Sequence, residues 1–212
     1  MAGVIGLSAS LYGTAFAAND ETVIVALGDS LTAGFGVVAN DAFPARLEAA
    51  LREAGANTRV VNAGVSGDTS AGGLARIDWV LADMPDLMIV ELGANDGLRG
   101  LAPADMEANL DAILTRLADR GIPAVLTGML APPNYGRAYG EAFQAVFPRL
   151  AERHGVAFYP FFLDGVAAQP ALNQPDGIHP NPAGVRVIVE RITPTVLQAL
   201  ADIEQSAKAE SR

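Results

Sequence analysis

Ser30 lies in the run Gly28-Asp29-Ser30-Leu31, directly behind a short apolar stretch, where a hydroxyl would emerge at the end of a strand. A serine hydroxyl is a weak nucleophile and needs a base to take its proton. The 212-residue chain holds no cysteine and 2 histidines, so the choice of base is narrow. His154 ends a helical pattern directly before Gly155 and reads as a helix-closing residue. His179 ends the run Asp176-Gly177-Ile178-His179, whose Asp-x-x-His spacing offers the imidazole a carboxylate. A carboxylate so placed can hold one imidazole tautomer and stabilise the imidazolium. Ser30, His179 and Asp176 are therefore candidates for nucleophile, base and orienting acid of an acyl transfer. The tetrahedral oxyanion of that reaction needs preorganised donors. The backbone N–H groups of Ser30 and Gly64 and the side-chain amide of Asn95 could supply them, Gly64 because a residue without Cβ lets a substrate oxygen approach the backbone.

Taken singly, each of these residues has an ordinary reading. A serine behind a strand commonly caps a helix, and Asn95-Asp96 and Asp176-Gly177 are common turn pairs. The combination and its order carry the inference.

The segments around these clusters alternate in period. Strand-like apolar runs cover 22–27, 59–62, 87–92, 124–129 and 156–161. Helical spacing covers 43–54, 70–82, 104–120, 139–154 and 182–200, with a kink expected at Pro148 and a break near Pro194. Alternating strands and helices with continuously apolar strands imply a three-layer α/β/α sandwich around a mainly parallel five-stranded sheet. In such sheets ligands bind outside the carboxyl ends of the strands. Gly28-Asp29-Ser30, Asn62-Ala63-Gly64 and Gly93-Ala94-Asn95-Asp96 each follow a strand, and the Asp176 to His179 run precedes the last helix.

Composition narrows the partners. Hydrophobic residues make up 50% and charged residues 18%, enough apolar material for one packed domain. Lys+Arg 14 against Asp+Glu 24 leaves a net charge of -10, which repels phosphate backbones and anionic lipid, so nucleic acid is not an expected partner. Without cysteine there is no disulfide, zinc-thiolate site or thiol nucleophile. Residues 4–11 form a short apolar run, and Ala15-Phe16-Ala17 is a small-x-small cleavage pattern. Residues 1–17 read as a signal peptide, although no Lys or Arg precedes Arg46 to form the basic n-region. The expected organisation is that leader, a single domain over 18–203 and a polar tail over 204–212 that frays. Such a leader directs the protein to the periplasm or exterior; without a functional leader the location would be cytoplasmic. The apolar run is too short for a permanent membrane anchor.

The four blocks around Ser30, Gly64, Asn95 and His179, in this order, resemble the GDSL or SGNH hydrolase family, with Asp176 matching its Asp-x-x-His. The likeness extends through Ser66-Gly67-Asp68-Thr69-Ser70, Glu91 to Gly100 and Asn134-Tyr135-Gly136-Arg137 to the bacterial thioesterase, arylesterase and lysophospholipase branch of that family. It implies a flavodoxin-like fold, a Ser-His-Asp triad, an oxyanion hole of Ser30, Gly64 and Asn95, no metal and no cofactor. The implied substrates are small acyl esters or thioesters, with no obligatory protein partner. Ala94 stands where relatives often have glycine. The resemblance also implies a mobile substrate loop over 129–139, and Pro132, Asn134, Tyr135 and Ile178 are the expected substrate contacts. Residues 161–174 could wall the other side of an acyl groove.

Other readings fit less well. The nucleophile elbow Gly-x-Ser-x-Gly fails because Thr32 stands in its last position, and Gly28, Gly34 and Gly36 do not space as a dinucleotide loop. A metallohydrolase lacks a second suitable histidine. A carbohydrate O-deacetylase would use the same residues with a smaller, more polar pocket. A noncatalytic ligand-binding protein would not need all of Ser30, Asp176 and His179.

Overall fold

A computed structural model describes residues 21–210 of the chain. The expected leader over 1–17 lies outside the described residues. Five strands alternate with the helices: β1 (Thr22–Gly28), β2 (Thr58–Gly64), β3 (Leu87–Glu91), β4 (Ala124–Thr127) and β5 (Ala157–Tyr159). They form one sheet in the order β2-β1-β3-β4-β5, and every pairing is parallel. The sheet expected to be mainly parallel is thus wholly so among the described residues.

Burial explains the order. Ile24, Val25, Ala26 and Leu27 of β1 and all of β3 are buried, as continuous apolar runs must be when helices cover both faces. β2, at the edge, alternates buried and exposed positions instead. The helices are α1 (Ser30–Ala33), α2 (Phe43–Glu53), α3 (Ser70–Val80), α4 (Ala94–Leu98), α5 (Pro103–Ala118), α6 (Arg137–His154) and α7 (Pro182–Glu210). α2 packs with α7 in one layer, and α3, α5 and α6 pack together in the other. The chain leaves β1 for β2 on one side and β3 on the other, so the order reverses at β1 and β3. A crevice opens there above the strand ends.

The expected elements are present, and two short helices are additional. α1 and α4 span 4 and 5 residues, too short for an apolar period to register, and each is an end-of-strand turn. α7 differs most from expectation. It runs through Pro194, where a break was expected, because Ile188, Val189, Ile192, Val196 and Leu200 keep its inner face buried on both sides of the proline. Thr193 Oγ1 donates to the Val189 carbonyl at 2.6 Å in the turn before Pro194. The polar stretch expected to fray from Glu204 is helical to Glu210. Its residues are good helix formers, with Lys208 Nζ 3.6 Å from Glu204 Oε2 at i,i+4 spacing. α6 holds Pro148 within its length and runs to His154, which pairs with Asp111 at 2.8 Å. No described helix is long and apolar enough to cross a membrane.

Candidate active site

β1 ends at Gly28, and the chain turns at once into α1 with Asp29 as its cap. The Asp29 carboxylate accepts from Leu31 N–H at 2.9 Å, which starts the helix on Ser30. Gly34, at φ 83, ends it after one turn in a left-handed conformation that a side chain would disfavour. Ser30 is thereby held at the mouth of the crevice instead of pointing along the strand.

The Asp176 to His179 loop is organised by its own carboxylate. Asp176 Oδ1 accepts from the N–H groups of Ile178 at 2.9 Å and His179 at 3.0 Å, while Oδ2 lies 2.7 Å from His179 Nδ1. The backbone donation from His179, then that from Ile178, then the ring contact hold the Asp176 carboxyl at a pKa of about 2. An ionised carboxylate can only accept, so Nδ1 carries the hydrogen and Nε2 is left as an acceptor. Nε2 lies 2.9 Å from Ser30 Oγ, across 149 positions of sequence.

Gln174 joins the two loops. Its amide donates to the Phe35 carbonyl at 2.7 Å and the Pro180 carbonyl at 3.0 Å, and its backbone N–H donates to the His179 carbonyl at 2.8 Å. The Phe35 ring lies against the imidazole with centroids 4.5 Å apart. Asn181 then caps α7 by accepting from Ala183 and Gly184 N–H at 2.9 and 3.1 Å. Within residues 161–174, expected to wall a groove, Phe162, Val166 and Asn173 are buried and the others are exposed or half-buried.

Of the expected oxyanion donors, the Ser30 amide stands at the start of α1. The other two already have acceptors. Gly64 N–H donates to Asn62 Oδ1 at 2.9 Å, and Asn95 Nδ2 donates to Asp29 Oδ2 at 3.0 Å and to the Asp68 carbonyl at 2.9 Å. A substrate oxyanion must take these donors from those partners. Gly64 has a second constraint besides the expected one. A Cβ there would lie 2.3 Å from the Ala33 nitrogen, so the backbone of α1 also requires glycine.

Several neighbours escaped sequence reasoning because single residues of their kind carry no pattern. Arg76, on α3, donates to the Gly28 and Ala63 carbonyls at 2.9 and 2.8 Å and pairs with Asp68 at 2.6 Å, tying together the ends of β1 and β2. Asp29 is fully buried, and desolvation lifts its pKa to about 6 against the donations from Leu31 and Asn95. Glu91, also fully buried, is raised well above the ordinary range by burial first and by Asp29 second.

The expected substrate contacts divide. Ile178 is exposed within the His179 loop. Pro132, Asn134 and Tyr135 surround the short turn before α6, and none of them hydrogen-bonds to Ser30, Asp176 or His179 among the described residues. Tyr135 and Tyr139 hydroxyls donate to the Leu98 and Leu101 carbonyls at 3.0 and 2.8 Å, anchoring this segment on the end of α4. The segment follows β4, which lies two strands from β1 in the sheet.

A parallel α/β/α fold with a hydroxyl, an imidazole and a carboxylate in hydrogen-bonded series at its switch point defines a hydrolase of the serine type, able to attack an acyl carbon and hold the resulting oxyanion. The chain belongs to the GDSL-like lipase/acylhydrolase family, whose sequence profile matches residues 26–187. It is 43% identical over 177 residues to esterase TesA of Pseudomonas aeruginosa, covering 83% of this chain and 88% of that one. It is 44% identical over 166 residues to thioesterase 1/protease 1/lysophospholipase L1 of Escherichia coli, covering 78% of each. Among solved structures it resembles AlinE4, an SGNH-hydrolase family esterase, with 48% identity and a TM-score of 0.73 over 87% of this chain and 99% of that one. The chain is a carboxylic ester hydrolase.

Proposed function

We propose that the chain cleaves small acyl esters and thioesters through a covalent acyl intermediate on Ser30. Ser30 Oγ attacks the acyl carbon as His179 Nε2 takes its proton, and Asp176 holds the imidazolium. The oxyanion is received by the Ser30 and Gly64 N–H groups and by Asn95. His179 returns the proton to the leaving alcohol or thiol, and water then releases the acid by the same steps in reverse roles. The observation that carries this reading is the 2.9 Å contact between Ser30 Oγ and an imidazole whose other nitrogen is fixed by a carboxylate at 2.7 Å.

Apolar side chains at the strand-end loops, including Phe35, Leu98, Tyr135 and Ile178, are exposed. They favour an acyl chain over the polar sugar ring that a deacetylase would take, and the names of the relatives point to thioesters and lysophospholipids as further substrates. Pro132, Asn134, Tyr135 and Ile178 are assigned to that acyl side. Export rests on the leader sequence alone: residues 1–17 direct the chain to the periplasm or exterior, where N-terminal sequencing of the mature protein should find them removed.

The test is a fluorophosphonate, which stays on an activated serine. Mass spectrometry should find the adduct on Ser30, and Ser30→Ala should lose the label and at least roughly 10³-fold in turnover of p-nitrophenyl esters. A label elsewhere, or an active Ser30→Ala, would sink the mechanism.

A further inference from the structure

We propose that Glu91 is a positioning residue for Ser30, acting as the hydrogen-bond acceptor on which the turn from Gly28 to Thr32 rests; the inference builds on Ser30 being the nucleophile. Glu91 is the last residue of β3, paired in the sheet with Gly28. It touches none of Ser30, His179 or Asp176 by hydrogen bond. Its Oε2 accepts from Thr32 Oγ1 at 2.8 Å and, at a longer 3.4 Å, from Asp29 N–H. Those donors come from either side of Ser30 in sequence, so one buried oxygen meets both flanks of the nucleophile.

The surroundings argue that this is a fitted device and not a carboxylate that happens to be inside. Thr32 is itself buried, so its hydroxyl needs a partner that water cannot supply. A Cβ at Gly28 would lie 2.1 Å from Thr32 Oγ1 and 2.7 Å from Glu91 Oε2, so the pair fills the room a larger residue would take and explains the glycine that opens the motif. For packing alone an apolar side chain would serve at this position, and the other oxygen makes the point. Glu91 Oε1 is buried and has no hydrogen-bond partner among the described residues. An orphaned atom in the core opposes folding, and it is tolerated because Oε2 is needed.

The protonation state follows from the same contacts. Ionised, Glu91 would spread its charge onto an oxygen with no donor, beside the Asp29 carboxylate; as a neutral acid it leaves only an unpaired hydroxyl. Its useful property is then the acceptor, which an amide shares. The arrangement also links the reacting parts. The four residues after Glu91 lead to Asn95, whose amide holds Asp29, so the nucleophile turn and the side-chain oxyanion donor are registered to one strand end. A small displacement of a reacting group can cost roughly 10²-fold in rate.

The experiment compares Glu91→Gln, Glu91→Leu and Thr32→Val with the wild type for kcat, KM and the rate of fluorophosphonate labelling of Ser30. Glu91→Gln, which keeps a neutral acceptor, should stay within about 3-fold of wild type in kcat, because an amide replaces the acceptor. Glu91→Leu should lose roughly 10²-fold in kcat and labelling rate with KM nearly unchanged. Thr32→Val, which removes the donor from the other side, should lose about tenfold in kcat, the worth of one hydrogen bond. If Glu91→Leu does not fold, the other two variants decide. Wild-type kcat in Glu91→Leu or Thr32→Val would overturn the proposal. So would a Glu91→Gln as impaired as Glu91→Leu, which would mean that a charge is required. Loss of Ser30 labelling in the wild type would instead defeat the acyl-enzyme reading, so the two failures are distinct.

Discussion

Asn95 donates to the Asp29 carboxylate at 3.0 Å, so the residue proposed as the side-chain oxyanion donor is held by the residue that precedes the proposed nucleophile. Its second Nδ2 hydrogen is directed at the Asp68 carbonyl at 2.9 Å, which leaves no third. A developing oxyanion can compete with a neutral carbonyl more readily than with a buried carboxylate, so the hydrogen facing Asp68 is the one to be released. Asn95→Ala should therefore lower kcat by roughly 10²- to 10³-fold with little change in KM. Steady-state kinetics on a p-nitrophenyl ester checks this, and an effect confined to KM would remove Asn95 from the oxyanion hole.

Two backbone N–H groups and the imidazole hold the Asp176 carboxyl at a pKa of about 2, so it is ionised from pH 7 down to pH 4. Loss of activity between pH 7 and pH 4 cannot come from its protonation. Asp176→Asn would present an NH2 group or a poorer acceptor to His179 Nδ1 and favour the wrong tautomer. The expected loss is roughly 10²- to 10⁴-fold in kcat. The wild-type rate should be unchanged by EDTA, since every proposed role is filled by a side chain or a backbone amide.

The Asp29 carboxyl gives a stability test. Its folded pKa, about 6, lies above its ordinary 3.8, so the folded state binds the proton more tightly than the unfolded chain. That contribution is full below pH 3.8 and is lost as pH rises through about 6. Its size is on the order of 3 kcal/mol. Asp29→Asn cannot titrate, so its stability relative to wild type should improve from pH 4 to pH 7. Urea unfolding of both proteins at the two pH values reads the sign, and a relative loss would contradict a buried charge at this site.

Gly64→Ala tests the contact between β2 and α1. The added Cβ would fall 2.3 Å from the Ala33 nitrogen and 2.7 Å from its Cα, and backbone cannot give way as a flexible side chain can. The expected destabilisation is about 1–3 kcal/mol, with a fall in kcat as Ser30 shifts with its helix. Gly140→Ala, within α6 where a Cβ meets nothing within 4 Å, should be neutral or stabilising by about 0.5–1 kcal/mol. Thermal unfolding of the two variants separates contact from generic glycine effects.

Much of the fold was legible because β1 and β3 are continuous apolar runs and the longer helices repeat their buried residues at helical spacing. Phe43, Leu47 and Leu51 of α2 and Met106, Leu110, Ile113, Leu114 and Leu117 of α5 are buried in the structure. α1 and α4 were not legible, since one-turn helices are held by caps and neighbours and not by a period. The helical run of α7 beyond Glu204 left no signal in the apolar spacing, because its residues are polar and continue a helix already anchored by its buried face. At the site, residue types and order marked Ser30, Asp176 and His179, since two histidines and no cysteine leave few alternatives. Arg76, Gln174 and Phe35 left no signal, because what they join lies far apart in sequence: Arg76 reaches the Gly28 carbonyl 48 positions away, and Gln174 reaches the Phe35 carbonyl 139 positions away.

What the sequence alone determined is the chemistry available: one serine in a strand-end motif, one base with its own carboxylate in Asp-x-x-His spacing, and the alternation that builds a parallel sheet. These are local properties, readable from neighbours along the chain. Tertiary structure decided the rest. It brought Ser30 Oγ to 2.9 Å from His179 Nε2, engaged the amides of Gly64 and Asn95 with partners before any substrate arrives, and set Glu91 beneath the nucleophile turn. Hydrogen bonds act over about 3 Å, and desolvation acts only on what is buried. Both depend on distances that the chain acquires on folding.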